Sequence, residues 1–93
     1  MMKKYVLIGD IGNTTTKICL IESKTFKLKK VIYFNSNNIF LKNFLRKKLK
    51  KIIKKETINK YALFSSVVPR YLFMLKKILK KFYKIQLKEI KEK

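Results

Sequence analysis

Tyr5-Val6-Leu7-Ile8-Gly9-Asp10-Ile11-Gly12-Asn13-Thr14-Thr15-Thr16-Lys17 is the run around which the rest of this chain is arranged. Tyr5–Ile8 is β-branched and aromatic, the composition of a buried strand. Both glycines of the chain, Gly9 and Gly12, and its single aspartate, Asp10, fall within the next four residues. Gly12 suits a backbone that turns through positive φ or passes close to a ligand, and Asn13 tolerates the same region. Thr14, Thr15 and Thr16 follow with hydroxyls in a row. Consecutive N–H groups in such a turn form a concave nest for phosphate oxygens. Asp10, at the mouth of the strand, suits the magnesium ion that accompanies a nucleotide phosphate. Lys17–Glu22 reads as the returning strand, which makes a strand–phosphate loop–strand hairpin. A tight hairpin whose Asp, Asn and Thr side chains satisfy only their own backbone has the same local pattern, and the run alone does not separate the two.

Downstream, Ser23-Lys24-Thr25 is a polar turn, and Phe26–Phe34 supplies a third strand, alternating at first and then continuously apolar. Asn35-Ser36-Asn37-Asn38 is a turn and helix-cap cluster. From there Phe40, Leu41, Phe44, Leu45, Leu49, Ile52 and Ile53 recur at helical spacing, which predicts an amphipathic helix over Asn38–Glu56. A membrane-surface helix has the same look. The lysine surplus runs through the whole chain, however, so the stripe is assigned to the core. Lys60–Ser65 is a fourth strand. Pro69 suits the first position of a second helix, predicted over Pro69–Phe82 with Leu72, Leu75, Ile78, Leu79 and Phe82 inward. Ser66 is expected to cap that helix. Ser65 stands either as a second cap or at the strand end where α/β sheets hold ligands. Tyr83–Leu87 is a short last strand before the charged tail Lys88–Lys93. The order βββαβαβ predicts an α/β fold. Its mixed sheet has an antiparallel opening and later strands joined in parallel by right-handed crossovers. No repeat or linker interrupts it, so residues 1–93 are expected to form a single lobe.

Ninety-three residues with 47% apolar content make one small domain rather than a disordered chain. The net charge of +20 comes almost wholly from lysine, Arg46 and Arg70 being the only arginines. Such a charge fits nucleic acid or an anionic membrane. Yet Lys, Ile, Asn, Phe and Tyr abound together while Ala, Gly, Pro and Arg are scarce. An AT-rich coding bias produces that pattern in any protein and is the stronger explanation. A small basic nucleic-acid-binding protein remains the rival class, with Tyr33, Tyr61, Tyr71 and Tyr83 as stacking residues. Against it, the aromatics fall mostly on predicted apolar faces, and arginine, the better base reader, is nearly absent. Cys19 is alone and histidine is absent, which excludes an internal disulfide and a Cys/His metal cluster. A buried, inert thiol is expected at Cys19. Tyr5–Ile8 is too short for a signal-peptide core, and no apolar run reaches the length of a membrane span. A cytoplasmic location is expected.

Two segments carry a family resemblance. Ile8–Lys17, I-G-D-I-G-N-T-T-T-K, resembles the first phosphate loop of type III pantothenate kinases, whose pattern is D-x-G-N-T followed by small polar residues. Phe64–Leu72, F-S-S-V-V-P-R-Y-L, resembles the same family's S-S-V-V-P segment at a strand end. D-x-G by itself occurs across the actin-like superfamily, whereas the two motifs in this order are fairly specific. Thr15 departs from the pattern, standing where the family often has Asn or His. The resemblance covers essentially all of this chain and the first part of the family's length. It implies one ribonuclease H-like/actin-like ATPase lobe and phosphoryl transfer from ATP to the primary hydroxyl of pantothenate, the first step of coenzyme A synthesis. It further implies Asp10 as the residue that orients Mg2+, directly or through water. Gly12 and Asn13 would bring backbone N–H groups to the phosphates, and Thr14 and Thr16 would add hydroxyls. Thr15 completes the loop, and Lys17 either reaches the same oxygens or, slightly favoured, stays solvated. A monovalent cation (K+ or NH4+) and a homodimer, or a partner lobe, follow from the family alone. The family's G-x-D-R segment and second glycine-rich phosphate loop have no match here. No residue is assigned as catalytic base, and the chain is expected to be a truncated or split kinase, inactive by itself.

Overall fold

The computed structural model describes residues 3–91. Its elements run β1 (Tyr5–Ile11), β2 (Thr15–Glu22), β3 (Leu28–Asn35), a 3₁₀ turn at Ser36–Phe40, α1 (Lys42–Ile52), β4 (Ile58–Ser66), α2 (Pro69–Tyr83) and β5 (Gln86–Glu89). The strands form one five-stranded sheet in the order β3-β2-β1-β4-β5. β1, β2 and β3 are antiparallel neighbours, and β4 and β5 join β1 in parallel. The expected α/β architecture with its mixed sheet is therefore the fold of the protein. Short turns can connect only antiparallel strands, and the two parallel connections each need a helix.

Both crossovers run in the same direction across the sheet, so the right-handed rule places α1 and α2 on one face. Strand alternation aims Leu7 and Ile11 of β1, Ile18 and Leu20 of β2, and Ala62 and Phe64 of β4 at that face, where all are buried. Leu45 and Leu49 of α1 and Leu72, Leu75 and Leu79 of α2 close over them. The opposite face carries Val6, Ile8, Cys19 and Ile21, all half-buried, together with exposed Tyr33, Tyr61 and Leu63. Cys19 thus lies on the face away from the helices, half-buried rather than sealed in the core. Gly9 pairs with Phe64 in the β1–β4 ladder, and the phenyl ring lies across it. A Cβ at Gly9 would overlap Phe64 Cε2 and come within 2.6 Å of Cδ2 and 2.8 Å of Cζ.

Helix α1 is shorter than its periodicity predicts. Asn35–Asn38 does not cap it. Asn35 precedes the 3₁₀ turn and makes no side-chain cap bond, and the N-cap of α1 is Leu41, again without one. The tighter turn sinks Ile39 fully into the core, which a regular helical start would not do, and leaves Phe40 and Leu41 exposed. Phe40 instead meets Tyr71 of α2, ring centroids 5.4 Å apart. At the other end Ile53 leaves the helix in an extended conformation (φ −99°, ψ 124°) yet stays buried. Keeping that side chain inside ends the helix before Glu56. Helix α2 begins at Pro69 as expected, with the proline in the first turn.

Candidate phosphate-binding site

Strand register assembles the site. Asp10 of β1 lies beside Lys17 of β2 on one side and Ser65 of β4 on the other, and Lys17 in turn lies beside Tyr33 of β3. Because alternate residues share a face, Ser65, Asp10, Lys17 and Tyr33 form a row across four strands, on the face away from the helices. Asp10, Lys17 and Tyr33 are exposed and Ser65 is half-buried. The Ser65 hydroxyl donates to Asp10 Oδ1 at 2.7 Å. Lys17 extends sideways, its Nζ 5.9 Å from the centre of the Tyr33 ring, so it rests on an aromatic face rather than on Asp10. Among the described residues the one ion pair joins Lys3 to Glu22, at 3.9 Å.

The loop between β1 and β2 exposes Asn13, Thr14 and Thr15 in one stretch. Two expectations about it are corrected. Neither Gly12 nor Asn13 has a positive φ, and the Gly12 N–H is spent inside the turn, donating to Thr15 O at 3.0 Å. Close approach is what glycine provides there, since a Cβ would sit 3.0 Å from Thr15 O. Thr16 also differs from its expected role. It shares the inward parity of Ile18 and Leu20, is fully buried, and its hydroxyl bonds to Ser36 Oγ at 2.8 Å. Of the expected set, Asp10, Asn13, Thr14, Thr15 and Lys17 lie on the open side, while Thr16 holds the loop from beneath.

Ser36 is the residue that sequence reasoning missed. It is fully buried, and its Oγ donates to Gly12 O at 2.6 Å while also meeting Thr16 Oγ1. Its backbone N–H donates to Thr14 O at 2.8 Å. One side chain from the turn after β3 thus grips both flanks of the loop. Ser36→Ala should leave Gly12 O and the Thr16 hydroxyl without a buried partner. The expected loss is about 1–3 kcal/mol of folding stability in urea unfolding. An unchanged midpoint would show that these bonds do not hold the loop.

On the β4 side, Val67 N–H donates to Ile11 O at 3.1 Å and prolongs the β1–β4 ladder beyond the strands. Ser66 does not cap α2. Val68 occupies the N-cap, and Ser66 Oγ accepts from Val68 N at 3.1 Å and donates to Val68 O at 2.9 Å. Ser66 stands two residues before the N-cap and spends its hydroxyl on Val68, so it stabilises the turn before the helix.

The donors on the open side are hard oxygens: one carboxylate and the Thr14 and Thr15 hydroxyls. No group of three or more His, Cys, Asp or Glu that could hold a metal occurs among the described residues. A lone carboxylate does not cage a metal, but it matches Mg2+, which keeps its waters and binds through one or two carboxylates plus substrate phosphates. A cleft of about 640 Å3 lies elsewhere, between α1 and the C-terminal end of α2, lined by Arg46, Lys50, Lys54, Phe82 and Tyr83 among others. The Arg46 guanidinium stacks 4.1 Å from the centre of the Phe82 ring. Burial raises the Tyr83 phenol above its usual range, and the Arg46 charge pulls the other way. That cleft is basic and contains no side chain of the Asp10 row. No helix among the described residues is long and apolar enough to cross a membrane.

Comparison with known proteins gives the family and the fold. The family described as type III pantothenate kinase matches residues 6–93. A type III pantothenate kinase of Pelagibacter ubique (strain HTCC1062) is 41% identical over 87 residues, covering 94% of this chain and 34% of that protein. The chain therefore spans about a third of the length of that relative. Two solved structures of Ppx/GppA proteins from Aquifex aeolicus share the fold, with TM-scores of 0.56 and 0.57 at 13% and 14% identity. They align with 96% of this chain and with 35% and 36% of their own.

Proposed function

The chain belongs to the type III pantothenate kinase family, and from that membership we propose that its β1–β2 loop cradles the phosphates of Mg-ATP. The enzyme to which this lobe contributes transfers the terminal phosphoryl group to the primary hydroxyl of pantothenate, at the start of coenzyme A synthesis. Such transfer depends on positioning and charge neutralisation more than on covalent chemistry. Asp10 holds Mg2+ directly or through water, and Asn13, Thr14 and Thr15 offer donors to the phosphate oxygens. Bound magnesium supplies positive charge beside the transferring phosphoryl group. Thr16 and Ser36 keep the loop in shape, and Lys17 adds positive potential from its seat on Tyr33. The acceptor pocket, a second phosphate loop and the general base belong to a further lobe or partner chain, and a homodimer and a K+ or NH4+ site complete the working enzyme. The lobe works in the cytoplasm.

One observation carries this assignment: the sole aspartate is exposed at the strand end beside the threonine loop, with a serine fixing one of its oxygens. Calorimetric titration with Mg-ATP tests it at about 0.15 M salt, where exposed charges are screened beyond about 8 Å. Asp10→Asn should weaken binding roughly 10- to 100-fold, the size of a lost charge-assisted interaction. Equal affinity in both proteins would remove Asp10 from the site.

A further inference from the structure

We propose that Ser65 is a positioning residue for the divalent cation at the phosphate loop, acting through Asp10. It has this role only if Asp10 faces a cation-bound phosphate, so it rests on the phosphate-site reading above and adds a residue to it. Three features place Ser65 there. The parallel register sets it directly beside Asp10. Its hydroxyl donates to Asp10 Oδ1 at 2.7 Å. The segment that follows is stitched down by the Val67–Ile11 backbone bond and by the Ser66 turn, so Ser65 cannot drift from its partner.

An aspartate at an exposed strand end samples several rotamers. A ligand that needs one of them must bear the cost of selecting it. The Ser65 bond makes that selection in advance by tethering Oδ1, leaving Oδ2 as the oxygen with no protein partner among the described residues. The direction of the bond matters as well. With its proton committed to Asp10, the Ser65 oxygen presents only lone pairs outward, and so does the carboxylate. Together they form an acceptor-only pair. Such a pair complements a hydrated cation, whose waters donate, and repels a bare phosphate oxygen. Ser65 therefore favours nucleotide bearing its divalent cation over metal-free nucleotide. A serine that merely satisfied a neighbouring strand would not discriminate between the two.

The test titrates ATP, with and without Mg2+, against wild type, Ser65→Ala and Ser65→Thr. Ser65→Ala should bind Mg-ATP about five- to tenfold more weakly, in line with one lost hydrogen bond to a charged group. Metal-free ATP should bind it no more weakly than it binds wild type. Ser65→Thr, which keeps the hydroxyl, should restore Mg-ATP affinity. In an Asp10→Ala background, adding Ser65→Ala should have no further effect, the signature of a residue acting through another. A loss of equal size with and without Mg2+, or one that persists in the Asp10→Ala background, would overturn the role. If wild type and Ser65→Ala bind Mg-ATP equally, Ser65 has no such role while the phosphate site stands. If wild type binds Mg-ATP no better than metal-free ATP, the phosphate site falls, and the role of Ser65 with it.

Discussion

Mg-ATP and pantothenate incubated with these 93 residues alone will yield no phosphopantothenate above the uncatalysed background. Phosphoryl transfer needs both ends of the nucleotide's phosphates held and the acceptor hydroxyl aligned. The chain has one glycine-bearing loop that could serve this purpose, and both of its glycines are used at or next to it. Among the described residues, no carboxylate other than Asp10 stands beside that loop. Asp10 is the only aspartate and is bonded to Ser65. Glu22 is paired with Lys3 at the far end of the sheet. Glu56 follows α1, at the end of the sheet where β4 begins. Glu89 pairs with Phe64 and shares the helix-side parity of Leu87, opposite to the face of Asp10. Glu92 lies outside the described residues. Losing a general base costs about 10²–10⁴ in rate, and losing alignment of the two substrates forfeits up to about 7–11 kcal/mol more of the barrier. Turnover should thus be undetectable by coupled assay. Phosphopantothenate formed at ordinary enzymatic rates without any added polypeptide would contradict this.

The second large effect is on folding. Gly9→Ala should destabilise the lobe by about 1–3 kcal/mol, the usual cost of forcing a group into a filled core. For a domain of this size that is a fall in thermal midpoint of roughly 5–20 °C. The cause is specific: the new methyl would collide with the Phe64 ring, which is fully buried. Strand propensity alone predicts the opposite sign, since alanine costs less backbone entropy than glycine. Phe64→Leu in the Gly9→Ala background should recover part of the loss, because the smaller side chain vacates the contested space. Thermal denaturation of the two single variants and the double variant measures this. Additive losses, or a Gly9→Ala midpoint at or above wild type, would show that the ring can yield.

Strand alternation carried most of the fold. β-branched runs located β1, β2 and β4, and the connection lengths dictated which pairs are parallel. Pro69 marked the start of α2 because a first-turn proline sacrifices no hydrogen bond. The start of α1 was not legible. Asn35–Asn38 has cap chemistry, but the pull of Ile39 into the core outweighs it, and that pull depends on how α2 packs, which no local pattern encodes. Within the loop, the alternation Thr16, Ile18, Leu20 already contained the inward aim of Thr16, and the row of three threonines masked it. Ser36 could not be found from sequence. It lies 20 residues from Thr16 and 24 from Gly12, and nothing in its neighbourhood marks which loop it meets. Ser65 was half-legible: its strand-end position suggested a ligand, whereas its partner Asp10 followed only from the β1–β4 register.

The claim on which everything else depends is that phosphate binds at the Asp10–Thr15 loop rather than at the basic cleft between α1 and the end of α2. Backbone amide NMR during a Mg-ATP titration at about 0.15 M salt addresses it directly, since bulk charge attraction is largely screened under those conditions. Shift changes should centre on Asp10, Asn13, Thr14, Thr15 and Ser65, and they should collapse in Asp10→Asn. Changes centred instead on Arg46, Lys50, Lys54 and Tyr83, and unaltered by Asp10→Asn, would contradict the assignment. They would identify the basic cleft as the anion site.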